Sequence, residues 1–455
     1  MLRGIGRNGA LLLVEAGAAG FYLAITRGLA PVLLAARGLS VRDVLVVVFT
    51  SYLVALGLGS LAYRYAEAIA SGRVRLRLIL CHGLERLLWL MVAVAAVTAP
   101  GLLLPVYVAA VASTIPTSIL MGALVFGLFP PSTARRVIGY RSAFMQASNV
   151  VGLLVSVVAL AASKGLAKYL YLYMFAVAVG YVSTMAVAGV GHETVHAIGR
   201  RGAGGGEEER VRATMVFLYL LFFLAAAAVM STAWQPYLMR VLGAPDYLAA
   251  SLGLVETLAG MVASLLWLRL PYRAYRLAVA GLASSPLLVM AVRRPLLHLG
   301  IGVLYAASLN GVNLLAAGVY SELAEKMGVV RSSAMLVNAA SAAQVVGLGT
   351  AIALLAAGAP VQAVFIPSAL YASLAALVAF IAMPEVSVIK PQHAAIYARQ
   401  LYNITLIGYG VLTTLVGRYV RLAAQLAALA TSFIILYLIY RTIYYLILLT
   451  GGGPP

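Results

Sequence analysis

Three acidic side chains, Glu15, Glu85 and Glu256, fall inside long apolar runs. A charge at the centre of a bilayer costs at least ~2.5 kcal/mol on insertion scales, so such a residue pairs with a base, takes up a proton or faces water. Glu85 adjoins Arg86, and the expectation for it is a structural ion partner, including one from another helix. Glu256 lies midway along its run with no basic neighbour, and Glu15 lies nearer the start of the first run. These two are the candidates for proton coupling.

Neutral polar residues recur in the apolar runs at helical spacing. Tyr22 and Thr26 follow Glu15 at intervals of 7 and 4, within about 20° of one direction at about 100° per residue. Ser142, Asn149, Ser156 and Ser163 recur every seven residues, with Gln146 alongside; Asn310, Asn313 and Ser321 share a third face, with the small Ala317 between. Such a face lines a water-accessible path or bonds to a neighbouring helix. Ser and Gly positions favour packing, and Asn310 with Asn313 favours a cavity.

One motif points to different chemistry. His192-Glu193-Thr194-Val195-His196 has the form H-E-x-x-H, in which two histidines one helical turn apart bind zinc and the glutamate acts as general base. No third ligand is apparent, and the glycines at 202 and 204–206 make a poor rigid scaffold. A zinc membrane protease is therefore the least favoured function. His82, His298 and His393 have no clustered partners and read as structural or interfacial. No P-loop or nucleotide-binding fingerprint appears, which argues against an ATP-driven pump. Neither a metal nor a cofactor is expected, and the chain does not read as an enzyme.

The elements that hold these residues follow from composition. The chain has 455 residues, 63% of them hydrophobic and 10% charged, with a mean hydropathy of +1.01. Ordinary soluble chains are nearer half apolar and a quarter charged, so lipid is the solvent that this composition requires. Fourteen candidate spans reach the roughly 20 residues a membrane helix needs: 9–34, 42–66, 76–98, 101–129, 138–163, 167–190, 213–241, 246–268, 275–292, 296–324, 332–357, 360–383, 396–416 and 421–448. The ninth and the last two are the weakest. Arg3 and Arg7 precede a run that Glu15 interrupts and that continues to spanning length, so a cleavable signal peptide is not expected.

The net charge of +19 gathers in short clusters between the apolar runs, as in Arg73, Arg75 and Arg77, or Arg200 and Arg201. That is the positive-inside pattern, with both termini in the cytoplasm; a nucleic-acid footprint would be a basic stripe on one soluble face. Cys81 is the only cysteine, which excludes an intrachain disulfide.

The two halves repeat. Pro31, Gly38 and Arg64 return 205 residues later as Pro236, Gly243 and Arg269. Further on the offset is 195: Ser113, Ser118 and Arg136 meet Ser308, Asn313 and Arg331. Ala147-Ser148-Asn149-Val150-Val151-Gly152-Leu153 then meets Ala342-Ala343-Gln344-Val345-Val346-Gly347-Leu348, five identities in seven. The division is 1–190, a polar linker at 191–212, 213–385, and a further 386–455. Parallel repeats of this kind are a construction that transporters use.

From Pro31 to Gly38-Leu39-Ser40, and on to Gly59-Ser60-Leu61-Ala62-Tyr63-Arg64, the chain resembles the major facilitator superfamily of secondary transporters. The basic connection ending at Arg136, with its copy at Arg331, fits as well, and the resemblance covers about 10–390. Tyr63 departs from the family signature, which usually has Asp there, and the segments after 390 have no counterpart in a twelve-helix member. The resemblance implies an all-α polytopic membrane protein, two pseudo-symmetric six-helix bundles around a central cavity, to which the spans at 396–416 and 421–448 add two extra C-terminal helices. It implies alternating access by a small-molecule solute across the cytoplasmic membrane, with membrane lipids around it and with or without protons. Its cavity-flanking helices would bring Ser118 and Asn313 face to face; Tyr22, Thr26, Gln146, Asn149, Asn310 and Asn338 complete the binding candidates. Gly59, Arg64, Arg136, Arg269 and Arg331 are the gating candidates. Helix exits in this family also account for Glu193, which matches Glu385. A lipid-linked oligosaccharide flippase is the alternative, since such families also use twelve to fourteen helices in two halves.

Overall fold

The computed structural model describes residues 6–65, 68–69, 73–129, 131–191, 207–327, 329–383, 386–390 and 392–406. Side chains are described for all of these except 126–127, 131–136, 207–209, 272, 318–327 and 329–332. In lipid every backbone N–H and C=O must be satisfied within its own segment, so the apolar runs become helices. The first half holds α1 (Gly6–Thr26), α2 (Ala30–Arg37), α3 (Val41–Arg64), α4 (Val74–Thr98), α5 (Leu103–Leu128), α6 (Pro131–Ala162) and α7 (Ala167–Ala188). The second holds α8 (Glu207–Arg240), α9 (Asp246–Trp267), α10 (Tyr275–Ala291), α11 (Leu297–Met327), α12 (Val329–Ala356) and α13 (Ile366–Ala382).

Among the described residues, 11 helical stretches are long and apolar enough to cross a membrane, and α10 is a shorter apolar helix. The protein is a multi-pass, all-helical membrane protein. Large apolar side chains such as Leu80, Val158, Met185 and Leu265 stay exposed on it.

Three boundaries differ from the sequence expectation. The first span is two helices, broken at Arg27–Leu29, with a proline at the start of α2. Helix α6 starts at Pro131, ahead of the expected 138, because its basic first turns continue the helix past the apolar stretch. The linker ends sooner than 212: residues 207–212 are the first turns of α8. The span expected at 421–448 lies outside the described residues.

The chain divides into two compact units, 1–395 and 396–455. Of the second, residues 396–406 are described and are helical.

Packing in the larger unit repeats. Helix α1 lies along α6 and α7 as α8 lies along α12 and α13; α4 packs on α5 and α7 as α10 packs on α11 and α13. The halves meet along α3 with α12 and, symmetrically, along α6 with α9. Matched glycines make the same close approach within each half. A Cβ on Gly152 would stand 2.9 Å from the Phe21 carbonyl oxygen of α1, and one on Gly347 would stand 2.5 Å from that of Ala225 in α8. Gly38 and Gly243 both take positive φ, 114° and 69°, which is why glycine recurs at the ends of α2 and α8.

Candidate functional site

Charge inside the first half is compensated by neighbouring helices. Arg27 donates from Nη2 to Glu85 Oε1 of α4 at 2.6 Å, and Arg86 Nη1 lies 3.6 Å from Glu85 Oε2. Arg86 also donates to Ser183 Oγ at 2.8 Å and lies over the Tyr22 ring, 4.8 Å from its centroid. Glu15 is buried and paired with Arg141 of α6. Thr26 donates to the Tyr22 carbonyl of its own helix at 2.8 Å, and its own carbonyl accepts from Tyr173 of α7 at 2.6 Å. The face shared by Glu15, Tyr22 and Thr26 therefore looks into the first half, onto α4, α6 and α7.

A cavity of about 440 Å³ lies between the halves. Residues of α1 to α6, with Arg27 and Gly28 of the α1–α2 break, line it from the first half, and residues of α8, α9 and α12 from the second. Glu256 and Asn149 line it, together with Arg27, Gln235 and Gln344. Its aromatic wall is Tyr52, Trp89, Tyr107 and Trp234. Glu256 makes no hydrogen bond or ion pair among the described residues. Gln344 Oε1 and Trp89 Nε1 are buried and lack partners there too, a state that costs about 1–3 kcal/mol per group unless water or a ligand satisfies it.

The lining follows the repeat. At the offset of 205, Val48 pairs with Gly253, Tyr52 with Thr257 and Arg27 with Thr232; at 195, Asn149 pairs with Gln344. All eight line the cavity. Arg27, Tyr52, Gln235 and Trp234 are absent from the sequence-based set. Gln344 was within reach, because it is the repeat partner of Asn149.

The other candidates stand elsewhere. Asn310 binds α11 to α9: its Oδ1 accepts from Ser264 at 3.2 Å, and its amide lies where a Cβ on Gly260 would be. Tyr22, Thr26, Glu15, Gln146, Ser118 and Asn313 are not among the cavity residues, and the last three are exposed. Asn338 accepts from Ser60 at 3.3 Å and abuts Gly59, so both join α12 to α3. Arg64 and Arg269 are exposed at the ends of α3 and α9. The side chains of Arg136 and Arg331 lie outside the described set, as do His192, Glu193 and His196. Among the described residues no group of three or more His, Cys, Asp or Glu could hold a metal ion.

Contacts close the halves at both ends of the bundle. At one end Lys168 pairs with Asp246 at 2.6 Å, and Tyr169 donates to Asp246 at 2.8 Å, joining the starts of α7 and α9. At the other, besides Ser60 and Asn338, a Cβ on Gly122 would stand 2.9 Å from Ser333 Oγ, so α5 and α12 approach closely. Lys168, Tyr169 and Asp246 carry no sequence signal, because they stand at helix starts where polar residues are ordinary.

No protein-family model and no curated protein sequence matches the chain. Solved structures do. A crystal structure of the nucleoside transporter NupG aligns with a TM-score of 0.61 at 13% identity, over 83% of this chain and 99% of that one. A bacterial homologue of the iron transporter ferroportin, in its inward-facing state, aligns at 0.58 and 12% identity, over 83% and 98%. The major facilitator superfamily transporter FucP, in its outward conformation, aligns at 0.53 and 12% identity, over 82% and 97%. The chain has the major facilitator fold. At these identities the likeness fixes architecture, and a fold hosts many functions. In the major facilitator fold of this chain, the cavity stands at the seam between the two repeats.

Proposed function

We propose that the protein is a secondary transporter that moves a small polar solute across the cytoplasmic membrane by alternating access, with both termini in the cytoplasm. The observation that carries this reading is the cavity between the repeats. It is lined by repeat-related polar residues, and the halves close on each other beyond it at both ends. Rocking of one half against the other would break one set of closing contacts at a time and expose the site to one side and then the other. Asn149, Gln344 and Gln235 supply hydrogen bonds to the solute, and the aromatic wall supplies apolar contact. The exposed Gln146, Ser118 and Asn313 suit an access path rather than the binding site.

Glu256 is the proposed coupling group. It packs against Gly302 of α11, one turn from Tyr305, and shares the cavity with Arg27, Tyr52 and Tyr107. Glu15 is a weaker candidate, because its pair with Arg141 already compensates its charge.

The test is side-specific labelling. In a Cys81→Ser background, Thr257→Cys in oriented vesicles should react with impermeant thiol reagents from each side, and a solute that favours one state should raise one rate while lowering the other. Labelling from one side only, unchanged by every solute, would contradict alternating access.

A further inference from the structure

Two charges of opposite sign line the cavity from opposite halves, and each breaks the repeat. Arg27 stands where the second half has Thr232, and Glu256 stands where the first half has Ser51. Ser51 is buried and bonded to its own helix, so only the second half presents an acid there.

The first-half wall is electropositive. Arg27 and Arg86 are two permanent cations that share the single carboxylate of Glu85. Arg27 engages Glu85 through Nη2, its Nε is buried without a partner among the described residues, and 37% of its side chain is exposed. The second-half wall carries Glu256, which no described base lies within 4.0 Å of. A charge in such surroundings is stable only when it is matched. A monocation would match Glu256 and leave the positive wall as it is, and an anion would do the reverse. A solute carrying both charges matches both walls and leaves the net charge of the site unchanged.

We infer that the cavity takes a zwitterionic small solute of the amino-acid or betaine class, its carboxylate on Arg27 and its ammonium on Glu256. This rests on the transport reading of the same cavity. Asn149, Gln235 and Gln344 bond the solute between its charges, and the rings of Tyr52 and Trp234 add apolar contact from opposite halves. The volume of about 440 Å³ falls within the about 300–1,000 Å³ of small-molecule sites.

The full-length protein in detergent tests this by thermal shift and calorimetry with amino acids of each side-chain class and glycine betaine. Each ligand is compared with its decarboxylated amine and its deaminated acid. The expected result is saturable stabilisation by one or more zwitterions, with both analogues bound about tenfold or more weakly, the change that loss of one charged contact produces. Glu256→Gln should erase the preference for zwitterion over deaminated acid. Arg27→Lys, which keeps the charge beside Glu85, should retain the preference for zwitterion over amine. Stabilisation by no zwitterion, or an amine binding as tightly as its parent zwitterion, would overturn the inference. Saturable counterflow of a neutral solute would also overturn it while leaving transport intact. A zwitterion that binds in this pattern but is never carried across a vesicle membrane would instead sink the transport reading.

Discussion

Asn149 and Gln344, 195 residues apart and equivalent in the two halves, line one cavity. The repeat is thus written twice in this region, as a binding pair and as the helix-packing glycines Gly152 and Gly347 three residues further on. Asn149→Ala and Gln344→Ala are each expected to weaken solute binding up to about tenfold, the worth of one hydrogen bond, with thermal stability nearly unchanged. Calorimetric titration of the two variants measures this.

The Lys168–Asp246 pair bridges the halves at one end only, so it must part when that end opens. Cysteines at 168 and 246, in a Cys81→Ser background, should arrest transport when joined by a short bifunctional thiol reagent that reduction can cleave. Activity should return on reduction. Full transport with the link in place would show that this end does not open.

Glu256→Gln is expected to fold normally and to lose the pH dependence of transport. The same substitution at Glu15 is expected to lower stability instead, because it leaves Arg141 without its buried partner. Uptake measured across pH for each variant, beside its melting temperature, separates the two roles. Unchanged pH dependence in Glu256→Gln would remove Glu256 from coupling.

Glu85 holds Arg27 and Arg86 from a side chain only 1% exposed. Breaking a buried pair typically costs about 3–5 kcal/mol, so Glu85→Ala should lower stability by that order in denaturant titration. Gly347→Ala, whose added carbon meets backbone at 2.5 Å, should cost about 1–3 kcal/mol through overpacking.

The helices were legible because apolar length is a direct consequence of lipid, and the repeat was legible because it kept its order. Helix ends were less so: α6 and α8 run on beyond their apolar stretches, where turns of polar sequence look like loop. Periodicity placed Glu15, Tyr22 and Thr26 on one face, but it could not say that the face looks inward at Arg86, Tyr173 and Arg141 rather than at the cavity. Asn310 shows the same limit, since its spacing is that of a path-lining residue and its partner is Ser264. Arg27 was hidden for another reason. Its role depends on the break between α1 and α2, which a run of spanning length does not announce.

Solute counterflow in proteoliposomes tests the central claim most directly. Vesicles preloaded with each unlabelled solute of a panel of amino acids, betaines, nucleosides and sugars are diluted into the same solute carrying a label. The account predicts saturable accumulation of label for at least one polar solute, abolished by the link between positions 168 and 246 and restored when it is cleaved. Accumulation no greater than in protein-free vesicles across the whole panel would contradict it.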